Sequence, residues 1–202
     1  FFCLRLGARE ILISSKKLLC LQMKKLGFEK EIRLLDFNKI NKYDLNNKTI
    51  NLINVDFNQD KAFKKISIKS KKFIENSFKI AFKLIKNNSI DKFINGPISK
   101  ESFLNHKFLG VTEYISNKFS TENTCMLIYN KDLSVCPITT HLPIKLVAKK
   151  INKKTILEKV SLIHNFYKKR FNFKPRIAVL GLNPHCESCL LYTSPSPRDS
   201  GK

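Results

Sequence analysis

The chain has 202 residues, a mass of 23.4 kDa, 43% hydrophobic residues and 27% charged ones, which suits one domain or a little more and excludes a disordered polypeptide. Lys or Asn interrupts every apolar run before it reaches about 18 residues, so a membrane-spanning helix is excluded as well. Lys+Arg 38 against Asp+Glu 16 gives a net charge of +22. Such a balance invites a nucleic-acid-binding reading. Only Arg5, Arg9, Arg33, Arg170, Arg176 and Arg198 are Arg, however, and Arg is the side chain suited to bidentate base and phosphate contacts. The abundant Lys, Asn, Ile and Phe share A/T-rich codons, so genome composition accounts for the charge. A basic nucleic-acid-binding module stays open as an alternative of another class. It predicts one Lys-rich face and steep salt dependence, whereas Lys is spread over nearly every segment.

The cysteines are Cys3, Cys20, Cys125, Cys136, Cys186 and Cys189, and no signal peptide is visible, so a cytoplasmic protein with reduced thiols is expected. Residues 1–10 begin with Phe1 and hold two of the six Arg, unlike the rest of the chain, and form a doubtful N-terminal segment. From Cys189 the sequence reads CLLYTSPSPRDSGK, in which Lys and Asn vanish until Lys202 and two Pro arrive together. That string resembles a translated sequencing adapter. Residues 189–202 are therefore expected to be a non-native tail, which removes the C-x-x-C spacing of Cys186 and Cys189.

In chain order, Glu10–Ser14 (EILIS) reads as a strand. Ser15 caps a helix to about Leu26, and Gly27 stops it. Glu31–Asp36 is a short strand, and the alternation in Thr49–Phe57 predicts a half-exposed one. From Ser67 to Asn87, Phe73, Ile74, Phe78, Ala81, Leu84 and Ile85 make one helical stripe. Asp91–Asn95 leads as a strand into Gly96-Pro97, and Ser99 caps the next helix. Thr124–Tyr129 and Leu133–Ile138 predict two strands joined by an Asn130–Asp132 turn. Pro143 suits the first turn of a helix. Thr155–Phe171 predicts an amphipathic helix with Ile156, Val160, Ile163 and Tyr167 on one face. Arg176–Gly181 (RIAVLG) has the pattern of a strand buried on both faces. This alternation predicts an α/β sandwich with a mixed, mostly parallel sheet, whose ligands gather at the carboxyl ends of strands.

Three polar clusters fall at such places. Ile94–Lys100 (INGPISK), followed by Gly110–Tyr114 (GVTEY), offers a Gly-Pro turn, a Ser-capped helix and the cation of Lys100 to an anion, though most such turns merely connect elements. Pro137–Pro143 (PITTHLP) presents His141 beside two Thr hydroxyls, either as a metal ligand or as a His satisfied by its neighbours. Gly181–Glu187 (GLNPHCE) delivers His185 in the same way. Two histidines alone hold an ion poorly. His164 lies beside an apolar stripe and reads as structural, and His106 sits in a basic loop and reads as solvated. No dinucleotide, Walker, nucleophile-elbow or H-E-x-x-H motif is present.

INGPISK, LGVTEY, ITTHLPI and VLGLNPHCES, in this order and spacing, resemble the 4-hydroxythreonine-4-phosphate dehydrogenases, the PdxA family, over roughly Ile11–Ser188. The resemblance implies a three-layer α/β/α sandwich of the isocitrate/isopropylmalate dehydrogenase-like fold, with 11–188 a partial domain. It implies NAD-dependent oxidation of 4-phosphooxy-L-threonine, followed by loss of CO2 to give 3-amino-2-oxopropyl phosphate in pyridoxal phosphate synthesis. His141 and His185 match two of three metal-ligand histidines, for Zn, Mg, Mn or Co. Thr112 matches a substrate-binding residue, and Lys100 is a further candidate for the phosphorylated substrate. Val111 stands where the family usually has a substrate-contacting His. This departure keeps open a paralogue acting on threonate or erythronate phosphate. The family's Gly-rich opening segment, third metal His and remaining substrate residues have no counterpart here, so this chain alone is expected to be inactive. The resemblance also implies a homodimer with the active site at the interface, and no nucleic-acid or membrane partner.

Overall fold

The computed structural model describes residues 2–6, 9–65, 67, 69–104, 107–121 and 124–182. The chain divides into two units, Phe1–Val111 and Thr112–Lys202.

The first unit is built on a five-stranded sheet of β1 (Phe2–Leu6), β2 (Arg9–Ser14), β3 (Ile32–Leu34), β4 (Ile50–Asn54) and β5 (Phe93–Asn95), in the order β3-β4-β2-β1-β5. β4 runs parallel to β3 and β2, while β1 is antiparallel to β2 and β5. Four strands thus point one way and β1 the other, the mixed and mostly parallel sheet expected. Ser14 leads β2 into α1 (Lys16–Leu26). The Ser15 side chain accepts from the Leu18 N–H, and Gly27 closes the helix at φ 65, where its N–H donates to the Lys24 and Met23 carbonyls. Both helix ends lie where the cap residues put them.

β4 departs from its expected half-exposure. Asn51, Leu52 and Ile53 are all buried on this interior strand, and Asn51 Oδ1 has no hydrogen-bond partner among the described residues. The Asn51 amide donates to the Glu10 carbonyl at 3.2 Å and to the Asn46 carbonyl at 2.7 Å. α2 (Lys69–Lys86) packs against β1 and β2 and buries Ser77, Phe78, Ala81, Phe82 and Leu84. Phe78 stacks on Phe103 at 5.3 Å, sits 5.3 Å from Phe82 and meets Phe93 edge-on at 6.4 Å. Burying such a ring contributes about 3 kcal/mol, so this cluster and Ile11, Ile13 and Leu52 form the core. β5 then leads to the five-residue helix α3 (Lys100–Leu104).

The second unit holds most of α4 (Val111–Lys118), then α5 (Ile144–Lys150) and α6 (Lys153–Phe171). Asn152 caps α6 by accepting from the Thr155 N–H at 2.9 Å. The expected face of α6, Ile156, Val160, Ile163 and Tyr167, is only half-buried. Two expected strands are absent as strands. Thr124–Tyr129 and Leu133–Ile138 share a single antiparallel pair, Ile128 with Val135. The next hydrogen-bonded pair in that register would need an N–H from Pro137, which has none, so the ladder stops. The turn is as expected, with the Asp132 N–H donating to the Asn130 side chain at 3.0 Å. Arg176–Gly181 is likewise not a strand: Val179 is 57% and Leu180 87% exposed. Its apolar run reports a preference for burial, and strand pairing needs a partner, which is missing among the described residues. No helix among the described residues is long and apolar enough to cross a membrane.

Candidate functional site

Val111, Thr112 and Glu113 form the first turn of α4. A carboxylate there is favoured by the unpaired N–H groups and the helix dipole. Glu113 Oε1 accepts a hydrogen bond from the Thr140 hydroxyl at 3.3 Å. One helical turn on, the Ser116 hydroxyl donates to Thr124 Oγ1 at 3.1 Å. α4 is thereby tied to both arms of the loop that carries the TTH segment. The consequence is specific: Thr112 and His141 are the chain neighbours of the two residues joined by the Glu113–Thr140 bond. Two segments that are separate in sequence are thereby joined.

Glu113 Oε2 is shielded from solvent and has no hydrogen-bond partner among the described residues. A buried carboxylate oxygen without a partner is costly, and it is a natural acceptor for a ligand's donor or cation. Sequence reasoning includes Glu113 in the VTEY segment and assigns it no role. The available signal is an acidic residue beside a candidate substrate-binding Thr at a helix start.

His141 does not sit at a strand end as expected. It is exposed and adopts φ 56, in the left-handed region, two residues before Pro143 caps α5. That region costs a non-Gly residue about 1–2 kcal/mol, and His enters it more readily than most. No hydrogen bond to the His141 imidazole is present among the described residues.

The Ile94–Lys100 part of the first cluster belongs to the first unit. Ser99 caps α3 by accepting from the Ser102 N–H at 3.3 Å, so part of the expected anion cradle is already satisfied internally. Lys100 is the first residue of α3. His164 is half-buried on α6. His185, His106, Cys186 and Cys189 lie outside the described residues.

A divalent ion needs three or four ligands. Among the described residues no three His, Cys, Asp or Glu side chains group to hold one. Of the two expected metal ligands only His141 is among the described residues, and alone it does not fit the ion.

The family model for the pyridoxal phosphate biosynthetic protein PdxA matches residues 7–193. A 4-hydroxythreonine-4-phosphate dehydrogenase of Sulfurihydrogenibium is 36% identical over 139 residues, 67% of this chain and 42% of the relative. The crystal structure of a 4-hydroxythreonine-4-phosphate dehydrogenase from Burkholderia phymatum superposes with a TM-score of 0.72 at 25% identity, covering 87% of this chain and 54% of that one. One from Klebsiella pneumoniae gives 0.70 at 22% identity, over 87% and 55%, a likeness of fold. The chain therefore spans about half the length of the relatives it matches.

Proposed function

The chain belongs to the PdxA family, and from that premise we propose that it is a portion of an NAD- and divalent-metal-dependent 4-hydroxythreonine-4-phosphate dehydrogenase. The α/β fold is the isocitrate dehydrogenase-like fold of that family. The reaction is the oxidation of 4-phosphooxy-L-threonine and its decarboxylation to 3-amino-2-oxopropyl phosphate, in pyridoxal phosphate synthesis. The Glu113–Thr140 hydrogen bond carries this reading, because it joins the VTEY and TTH segments where the family's chemistry expects them together.

The parts fall to named residues. Thr112 binds substrate through its hydroxyl. Glu113 and Thr140 hold the α4 turn and the His141 turn in one arrangement. His141 and His185 supply two ligands of the ion, and the third comes from residues beyond this sequence. Lys100 is the candidate for the substrate phosphate. When bound, the ion would acidify a coordinated hydroxyl, and NAD would take up hydride. The described residues hold too few ligands for any further step to rest on the ion. The protein is cytoplasmic and works as a homodimer with its site at the interface.

Val111 favours a second reading within the same fold, a dehydrogenase of threonate or erythronate phosphate. It removes an imidazole from beside Thr112.

The test is NAD reduction by a full-length clone, with each of the three phosphorylated acids, before and after chelator treatment. Metal-dependent turnover of 4-phosphooxy-L-threonine is expected, with Thr112→Ala lowering kcat/KM by about tenfold or more. Preference for another acid transfers the assignment to the paralogue. Turnover by residues 1–202 alone would show that the missing ligand is not needed.

A further inference from the structure

Cys125 and Cys136 have no part in the reaction above, yet the loop between them puts them together. Ile128 and Val135 exchange hydrogen bonds of 2.8 and 3.0 Å as an antiparallel pair. Extending that register by one residue sets Cys136 opposite Leu127. Continued past the point where Pro137 ends the ladder, the same alternation would put Cys125, two residues before Leu127, on the face of Cys136 and diagonally across from it. Diagonal neighbours of this kind have Cβ atoms about 7 Å apart or less, so a bridge requires the two arms to draw together by about 3 Å.

The surroundings agree with that register. Both cysteines are free thiols and only partly exposed, the Cys136 thiol donates to the Pro137 carbonyl at 3.8 Å, and Cys125 is near enough to Cys136 to raise its pKa. α6 anchors both arms. Lys159 Nζ donates to the Thr124 carbonyl, and the Tyr167 hydroxyl bonds Ser134 Oγ at 2.9 Å. Burial and Cys125 raise the Cys136 pKa, and the Lys159 ammonium offsets part of that rise. A thiol pair with a cation beside it is a recurrent setting for reversible oxidation.

We propose that Cys125 and Cys136 are a redox modification site, closing to an intramolecular disulfide when the protein meets a peroxide. The Cys125 sulfur attacks a peroxide oxygen, breaking the O–O bond and giving a sulfenic acid and one water. The Cys136 sulfur then attacks that sulfur and releases its oxygen as a second water. Two thiols and one hydrogen peroxide become one disulfide and two waters, and the two electrons lost by sulfur reduce the peroxide. A dithiol reverses the step by exchange. The bridge would fix the arm that runs from Cys136 through Pro137 to His141. The proposal does not depend on the dehydrogenase reading.

Lys118, Lys131 and Lys145 allow a direct test, since trypsin separates the two cysteines. The purified chain is treated with hydrogen peroxide and digested without reduction. The expected product is a linked pair of peptides, Phe119–Lys131 with Asp132–Lys145, as the dominant disulfide. Alkylation of both cysteines falls together by about tenfold, and dithiothreitol restores it. Cys20→Ser leaves the link intact, and Cys136→Ser removes it. The proposal fails if Cys125 goes to sulfinic acid without linking, or if it pairs indiscriminately with the other cysteines. It fails too if the same link forms equally well in urea, where only the short loop and not the fold brings the thiols together. The urea comparison needs no variant, so it holds even if Cys136→Ser does not fold.

Discussion

Phe78 and Phe166 are both phenylalanines within a long helix, and both have aromatic neighbours. Phe78 is wholly buried, whereas Phe166 is 42% exposed. The contrast extends to the units that contain them. The first unit buries Ile11, Ile13, Leu52, Phe78, Ala81 and Leu84 against a sheet, while Tyr114 is the buried apolar residue of the second unit among those described. The second unit is joined instead by side-chain ties: Thr140 to Glu113, Ser116 to Thr124, Tyr167 to Ser134. Apolar surface alone does not make a core. The second unit is rich in it, with Leu133 at 74%, Ile144 at 91% and Leu180 at 87% exposure. A core forms where a paired sheet gives such side chains a common face, and among the described residues only the first unit has one.

The largest expected effect breaks this contrast directly. Phe78→Ala should cost about 4 kcal/mol in urea unfolding. Phe166→Ala should cost about 1 kcal/mol or less. Equal losses would mean that the second unit has a core after all. Next comes Thr140→Val, which leaves the whole Glu113 carboxylate unpartnered and should destabilise the second unit by about 1.5 kcal/mol. Hydrogen exchange read unit by unit should place that loss in α4 and leave β2 and β4 untouched. Gly27→Ala tests the first unit with no packing change. A Cβ there meets nothing within 4 Å, so only the left-handed φ of 65 opposes it. The expected loss is about 1 kcal/mol in thermal unfolding.

The smallest effect concerns Cys136. Burial first, then the neighbouring Cys125, raises its pKa above the ordinary 9.0, and Lys159 pulls it partly back. The folded protein therefore binds that proton more tightly than the unfolded chain does. Its contribution to stability is complete below pH 9.0 and is lost as the pH rises through the raised value. Iodoacetamide labelling of Cys136 should keep accelerating above pH 9.0 in the folded chain and level off earlier in urea. Lys159→Met should shift the folded profile further upward.

What the sequence reveals is what local chemistry decides. Ser15 and Gly27 mark both ends of α1, since a cap and a left-handed glycine act on the nearest few residues. The stripe of α2 and the Asn130–Asp132 turn are legible for the same reason. Residues 176–181 mislead because an apolar run carries no information on whether a second strand pairs with it. The arms around Ile128 and Val135 mislead because the N–H missing from Pro137 matters only once the register is known. At the site, Thr112 and His141 can be picked out by resemblance. Glu113 cannot, because its partner Thr140 lies 27 residues away and nothing local links them.

The aromatic residues at the end of α6 carry a consequence for observing the molecule. Tyr129 stacks on Phe171 with centroids 5.5 Å apart, and Tyr167 lies 5.3 Å from Phe173. The chain has no Trp, so its near-ultraviolet dichroism and intrinsic emission come from five tyrosines. Tyr43 is the tyrosine of the first unit, whereas Tyr114, Tyr129 and Tyr167 all belong to the second. Tyrosine optics therefore watch mostly the unit without a core, and the far-ultraviolet strand signal watches the sheet of the other. One sample, read at two wavelengths, follows each half of the chain separately.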